Sequence, residues 1–353
     1  MNSQPLLTLV VTHYNEAWED IQAFFKMLNL QRGIQPGACD VIIVQDGEDA
    51  GNADPERIAG ECILPCRVLR IEHGGVSKAR NAGLDAAAGA WVMFCDCDDS
   101  FYSVDSLNSI LSSLQQAGDR ADLIYAPFWM ELAEDGTAWR RVLFDRNWIF
   151  IHAKVWRASW LREHEVRFDE AIAYGEDALF NTEAVLVADP SRIAHMKDPV
   201  YMWCHRANSC TEDPANFSRN MHDLYIARIH GVAACARRGN ATITVLYAMR
   251  AIVDGFYELR GGRISMEDRQ DLEQMLAEVL ILPYYDRLPV TDPELEKIGH
   301  LAKNGAIHRK LYPGPPDPID EQNDTALPWA DLELFRKWIE EMRTKYSSLS
   351  NAP

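Results

Sequence analysis

The chain has 353 residues, 47% of them hydrophobic and 25% charged, and a formal net charge of −18. That length fits one large α/β domain with an appendage, or two domains, and the composition excludes a disordered chain. The acidic balance argues against a broad basic surface, so nucleic acid and anionic lipid are disfavoured as partners.

Leu6 to Thr12 and Val41 to Val44 are short apolar runs of the length of buried parallel strands. Between them Ile21, Phe24, Phe25 and Leu28 recur at helical spacing, with Gly33 available for a left-handed cap. The opening therefore reads as βαβ. Cys66 to Ile71 reads as a third strand and residues 76–88 as an alanine-rich helix. Ala90 to Cys95 reads as a fourth strand that runs into Asp96-Cys97-Asp98-Asp99-Ser100. Ser103 is placed to cap a helix that continues to Gln116, ahead of a strand from Asp122 to Met130. Such alternation predicts an α/β fold, a Rossmann-like and mainly parallel sheet with helices on both faces, whose ligands bind beyond the carboxyl ends of the strands.

Past residue 130, Glu134-Asp135-Gly136-Thr137 reads as a hairpin turn, and Trp139, Trp148, Trp156 and Trp160 follow in quick succession. Glu176 to Val187 reads as a helix, and Arg192 to His205 as extended chain broken at Asp198-Pro199. After Pro214 the pattern turns helical, over 216–238, 241–260, 265–281, 291–304 and 329–346, with a connector Pro313-Gly314-Pro315-Pro316. A boundary near 215 divides a catalytic region, 1–214, from a helical C-terminal region, 215–353.

The eight cysteines show no repeated C-x-x-C pairing, which argues against a four-ligand zinc site and for reduced thiols. No segment approaches the ~20 apolar residues that span a bilayer, and the N-terminus carries no basic leader. The expected location is cytoplasmic, with any membrane-bound acceptor approached from the inner surface.

The strongest chemical signal is Asp96-Cys97-Asp98-Asp99, three carboxylates directly after an apolar strand. Carboxylate oxygens are hard donors suited to Mn²⁺ or Mg²⁺, and such an ion usually keeps substrate phosphates in its shell. An acidic turn capping the following helix would leave the same trace, and these residues alone leave the two readings level.

Five ordered segments resemble family 2 of the GT-A glycosyltransferases over about residues 5–212. Thr12-His13-Tyr14-Asn15-Glu16 is similar to that family's first-strand end. Val44-Gln45-Asp46-Gly47 is similar to its Val-Asp-Asp-Gly-Ser segment, with Gln45 in place of the first aspartate and Glu48 in place of the serine. The run from Gly74 to Gly83 resembles Gly-x-x-x-Ala-Arg-Asn-x-Gly, Asp96-x-Asp98-Asp99 resembles the DxDD site, and Glu176-Asp177 the pair that carries the catalytic base. A weaker echo, Trp203 to Ser209, resembles the Tyr-x-x-Arg-x-x-x-Ser segment that closes over the diphosphate.

The resemblance implies an inverting transfer from a UDP-sugar with Mn²⁺ or Mg²⁺. Thr12, Tyr14, Asn15, Asp46, Arg80, Asp96 and Arg206 would bind the donor; Asp98, Asp99 and His205 would hold the metal; Asp177 would be the base, with Glu176 positioning the acceptor. Physical chemistry agrees at two points. Tyr14 can stack on a pyrimidine while Asp46 accepts from its ring N–H, which selects uracil over cytosine. A carboxylate such as Asp177 must take the proton of the attacking acceptor hydroxyl. The expected acceptor is a glycan or a polyol-phosphate polymer, with a homo-oligomer formed through the C-terminal helices as a further expectation. Three rivals stand beside this reading: a nucleotidyltransferase, a non-catalytic sugar-nucleotide-binding protein, and a phage-type glycosyltransferase acting on modified DNA bases. The first lacks a glycine-rich, basic loop after the first strand, and the last sits poorly with the charge of −18.

Overall fold

The computed structural model describes residues 4–48, 54–133, 139–145, 147, 149–205, 216–239, 241–261, 265–284 and 329–347. The chain forms two compact units: residues up to Ala173 together with Val187–Ala207, and Tyr174–Leu186 together with the chain from Asn208 onward.

The first unit opens with β1 (Leu7–His13), α1 (Trp18–Asn29), β2 (Cys39–Asp46), α2 (Pro55–Glu61), β3 (Cys66–Ile71), α3 (Gly75–Ala86) and β4 (Trp91–Asp96). Every residue of β1 is buried, as the unbroken apolar run requires of a strand covered on both faces. β4, β1, β2 and β3 pair in parallel in that order. α3 lies directly on β1: a side chain at Gly83 would meet Val10 Cγ1 at 2.2 Å, so only glycine allows this approach.

After β4 come β5 (Ser100–Phe101), α4 (Ser106–Ala117), β6 (Leu123–Tyr125), β7 (Phe128–Ala133), β8 (Trp139–Phe144), β9 (Lys154–Arg157) and α5 (Ala158–Glu163). β10 (Ile193–His195) and β11 (Tyr201–Trp203) complete the unit. Two expectations are corrected here. The single strand from Asp122 to Met130 is two strands in different sheets, because Pro127 has no N–H for a ladder and the chain crosses from one sheet to the other there. The helix after Ser103 begins three residues later, with Asp105 at its N-cap; the Ser103 hydroxyl instead accepts from the Asp105 N–H at 3.3 Å.

The main sheet runs β10-β6-β9-β4-β1-β2-β3, with β9 antiparallel to both neighbours and all other pairs parallel. The second sheet runs β5-β11-β7-β8. Register aligns Phe101, Tyr201, Phe128 and Phe144 in one row across its four strands, all fully buried. The segments 134–138 and 206–215 lie outside the described residues, as do Trp148 and 291–304.

The second unit holds α6 (Glu176–Val187), α7 (Phe217–Arg237), α8 (Ala241–Gly261), α9 (Met266–Met275), a π-helical turn (Leu276–Ile281), α10 (Leu282–Tyr284) and α11 (Trp329–Tyr346). Ile252, Phe256, Leu276, Phe335 and Ile339 centre its core. Among the described residues no helix is long and apolar enough to cross a membrane.

Candidate active site

Thr12 and Asp96 are register partners at the carboxyl ends of β1 and β4. The Thr12 hydroxyl donates to Asp96 Oδ1 at 3.1 Å, and Arg80 Nη2, from α3, donates to both oxygens at 3.0 and 3.3 Å. Arg80 is buried, with its guanidinium 5.3 Å from the Phe168 ring, so this cation is committed to holding Asp96. Burial alone would push the Asp96 carboxyl up; the Arg80 charge first, then His152 and the hydrogen bonds from Arg80 and Thr12, together outweigh it and hold the group below the usual carboxylate range. One-quarter of the Asp96 side chain stays exposed.

Asp46 ends β2 and is buried. Its Oδ1 accepts from the Gly74 N–H and its Oδ2 from the Gly75 N–H, both at 2.8 Å, so it caps α3 from a neighbouring strand. His73 Nδ1 lies 2.9 Å from the same Oδ2. The His73 ring stacks on Tyr14, with centroids 4.3 Å apart and planes 17° apart. Both rings are open to solvent, Tyr14 at 45% and His73 at 55% of full exposure. Asn15 takes the left-handed conformation, φ 58°, which turns the chain after Tyr14 so that Glu16 folds back. Glu16 Oε2 accepts from the Tyr14 N–H at 2.6 Å and lies 2.7 Å from His13 Nδ1, with Cys97 Sγ 3.9 Å from that same nitrogen.

The acidic loop splits by depth. Asp98 is half-buried, whereas Asp99 points inward, its Oδ1 accepting from the Cys204 N–H at 3.0 Å. Burial first, then the charges of Asp98 and Asp96, push the Asp99 carboxyl well above its ordinary range. Beneath it His152 is buried, which lowers its pKa to about 4 and keeps the imidazole neutral near pH 7. The Tyr201 ring stacks over His152, and the Tyr201 hydroxyl accepts from the Asp96 N–H at 3.2 Å.

Ligand-type atoms of Asp96, Asp99 and His152 all lie within 4.8 Å of one another. Asp99 Oδ2 and His152 Nδ1 face each other at 3.6 Å, both buried without a hydrogen-bond partner. Hard oxygens with one imidazole nitrogen, two of the atoms unsatisfied, fit a divalent cation at this loop. Of the three metal ligands expected from sequence, Asp99 belongs to this group and Asp98 does not. His205 is half-buried, its backbone N–H donating to Glu131 Oε2 at 3.4 Å, and Arg206 lies outside the described residues.

Glu176 and Asp177 occupy the first turn of α6, after Gly175 in a left-handed conformation of φ 85° that only glycine adopts readily. Asp177 Oδ1 accepts from the Ala178 N–H at 2.7 Å. Tyr174 feels this pair: burial, then Asp177 and Glu176, raise its phenol.

Sequence reasoning missed His73, His152 and Tyr201. His73 had a usable signal, a histidine between the third strand and the Gly74-Gly75 helix entry. His152 and Tyr201 had none, since each reaches the acidic loop only through sheet pairing.

A mainly parallel sheet with carboxylates gathered at the carboxyl ends of its strands, where open α/β sheets bind ligands, is the arrangement of the GT-A fold. Residues 8–164 match the family model described as glycosyl transferase family 2; this segment belongs to that family, and the chain is a glycosyltransferase. It is 23% identical over 325 residues to the uncharacterized glycosyltransferase YibD of Escherichia coli, covering 86% of this chain and 92% of YibD. It is 25% identical over 175 residues to the poly(ribitol-phosphate) beta-N-acetylglucosaminyltransferase TarS of Staphylococcus aureus, covering 46% of this chain and 30% of TarS. The crystal structure of S. aureus TarS in complex with UDP-GlcNAc shares the fold, with a TM-score of 0.62 at 16% identity over 96% of this chain and 92% of that one. The mannosyltransferase PcManGT of Pyrobaculum calidifontis, in complex with GDP-Man and Mn²⁺, matches more loosely, with a TM-score of 0.50 at 15% identity over 98% and 88%.

Proposed function

We propose that the chain transfers a sugar from a UDP-sugar to a hydroxyl of a glycan or polyol-phosphate acceptor, with inversion and with a divalent metal. The observation that carries this reading is the exposed Tyr14 ring beside the buried Asp46 carboxylate, at the same sheet edge as Asp96. A flat base stacks on Tyr14, and Asp46 keeps acceptor capacity for the uracil ring N–H, a donor that cytosine lacks at that position. Asp96, held in one orientation by Thr12 and Arg80, receives ribose or sugar hydroxyls. Asp98, Asp99 and His205 would hold Mn²⁺ or Mg²⁺; of these Asp99 belongs to the cluster with Asp96 and His152, so His152 would be a further nitrogen donor. When bound, that cation offsets the charge of the leaving diphosphate.

Asp177 takes the proton of the acceptor hydroxyl as its oxygen bonds to the anomeric carbon, and Glu176 orients the acceptor. The bond from the anomeric carbon to the diphosphate oxygen breaks with its electron pair leaving on UDP, where Arg206 adds positive charge. Attack from the face opposite the leaving group inverts the centre. The acceptor class is supported by the name of TarS, and the uridine donor by the ligand in the TarS complex. A catalytic region over 1–214 and a role for 215–353 in shaping the acceptor site or pairing two copies belong to the same proposal.

The test is a thermal-shift panel with Mn²⁺, since a ligand that binds only the folded state raises its stability by mass action. UDP is expected to raise the melting temperature more than CDP, GDP or ADP. An equal response to all four would overturn the uridine assignment.

A further inference from the structure

A side chain fills the place that the proposed base would take beside Tyr14 and Asp46. His73 presents a flat ring stacked 4.3 Å from Tyr14 at 17°, and a ring nitrogen 2.9 Å from Asp46 Oδ2. The same two groups are the ones proposed to select uracil, Tyr14 through a ring face and Asp46 through its carboxylate. We propose that His73 is an internal stand-in for the nucleobase, a side chain that occupies the base subsite until the donor displaces it and so sets the affinity for the donor. This inference rests on the assignment of Tyr14 and Asp46 as the base subsite.

Three features suit the ring to leave and return. It is more than half exposed, so its departure opens no core cavity. The Gly74 and Gly75 amides that follow it stay bonded to Asp46, so the ring can leave by rotation of its own side chain with the backbone in place. The backbone beneath it is fixed as well: a side-chain carbon at Gly47 would stand 2.8 Å from His73 Cβ, so a glycine there lets the ends of β2 and β3 approach this closely and keeps residue 73 beside Asp46. Asp46 does not depend on His73 for its placement, because the Gly74 and Gly75 amides hold both its oxygens. The carboxylate therefore stays aimed when the imidazole goes.

The energetic consequence is specific. A protein whose binding-competent state is only partly populated binds every ligand of that site more weakly by the same factor. Displacing His73 thus weakens UDP and CDP equally, while the preference between them stays with Asp46. A histidine that packed on the bound base would do the opposite: its removal would weaken binding and shift the preference.

The experiment is calorimetric titration of UDP and CDP, with Mn²⁺, into the full chain and its His73→Ala and Tyr14→Ala variants. His73→Ala is expected to tighten UDP and CDP by the same factor, roughly three- to tenfold, the scale of one polar contact and one ring stack. An unchanged or weakened UDP affinity, or a changed UDP-to-CDP ratio, overturns the proposal. Nuclear magnetic resonance supplies a readout free of mutational effects on binding. The His73 ring signal, assigned by its loss in His73→Ala, should move on saturation with UDP as the ring leaves the Tyr14 face, and a stationary signal refutes displacement. Failure of the underlying reading looks different: wild type would then not distinguish UDP from CDP, and Tyr14→Ala would leave UDP affinity unchanged.

Discussion

Asp177 and His152 illustrate two uses of a titratable residue. Asp177 stands in the first turn of α6, and its proposed work is confined to the moment the acceptor loses its proton. Asp177→Asn keeps the size of the side chain and removes the basic oxygen. Turnover with a true acceptor is expected to fall by about 10²–10⁴-fold while UDP affinity holds, the split that a transition-state interaction produces. Retained turnover, with loss in Glu176→Gln instead, would move the base to the neighbouring residue. His152 acts through burial. Its pKa lies at about 4 in the folded chain against an ordinary 6.5, so between those values the unfolded chain binds a proton that the folded chain refuses. This contribution to stability is complete above the higher value and is lost as pH falls through the window, by roughly 3 kcal/mol. Asp99, whose carboxyl is pushed up, contributes in the opposite sense. The readout is therefore the difference between wild type and His152→Gln, in urea unfolding at a series of pH values. The variant should lose less stability on acidification than wild type; parallel curves would show that His152 is not the group refusing the proton.

Among elements, α3 carries the most consequence for the site. It brings Arg80 to Asp96, and its N-terminus takes Asp46 as cap. Its seat on β1 depends on Gly83, where an added carbon would stand 2.2 Å from Val10 Cγ1. Alanine has the higher helix propensity, by about 1 kcal/mol, so an isolated helix would gain from Gly83→Ala. Here overpacking wins, and the expected outcome is a net loss of ~1–3 kcal/mol in urea unfolding, with weaker UDP binding as Arg80 is pushed off its carboxylate. A stabilised variant would mean that α3 can ride up without cost. The second sheet contributes from its inner row, where Tyr201 reaches from β11 to the amide of Asp96, and strand pairing thereby sets the height of the acidic loop.

Over the whole molecule, the two units have separate cores. In the second, Phe256 is fully buried and packs against Phe335 and Trp338 at ring separations of 5.2 and 5.4 Å. Phe256→Ala is expected to cost ~3–5 kcal/mol, as large-to-small substitutions in packed cores do. The measurement is again the urea midpoint at constant slope, and a cost under about 1 kcal/mol would show that this cluster is not a packed core. The division of the chain joins Tyr174–Leu186 to the C-terminal helices, so the residues proposed as base and acceptor anchor belong to the unit that carries no other assigned chemistry. Gly175 and Leu224 show why: a side-chain carbon at Gly175 would lie 3.0 Å from Leu224 on α7, a close approach made by residues far apart in the chain.

Local pattern alone determined the alternation of β1 to β4, the helices α1, α3 and α6 to α9, and the terminal helix α11, because apolar spacing of period 3.6 and short buried runs are properties of neighbouring residues. The ordered motifs likewise exposed Tyr14, Asp46, Asp96 and the acidic loop, since each follows the end of a strand whose position was legible. Tertiary structure decided what those residues touch. The commitment of Arg80 to Asp96, the depth at which Asp99 meets His152, and the placing of His73 between Tyr14 and Asp46 all arise from strands and loops brought together across dozens of residues. No periodicity records such meetings, because burial, charge pairing and ring stacking are settled by which backbones pack together and not by the order of residues within any one element.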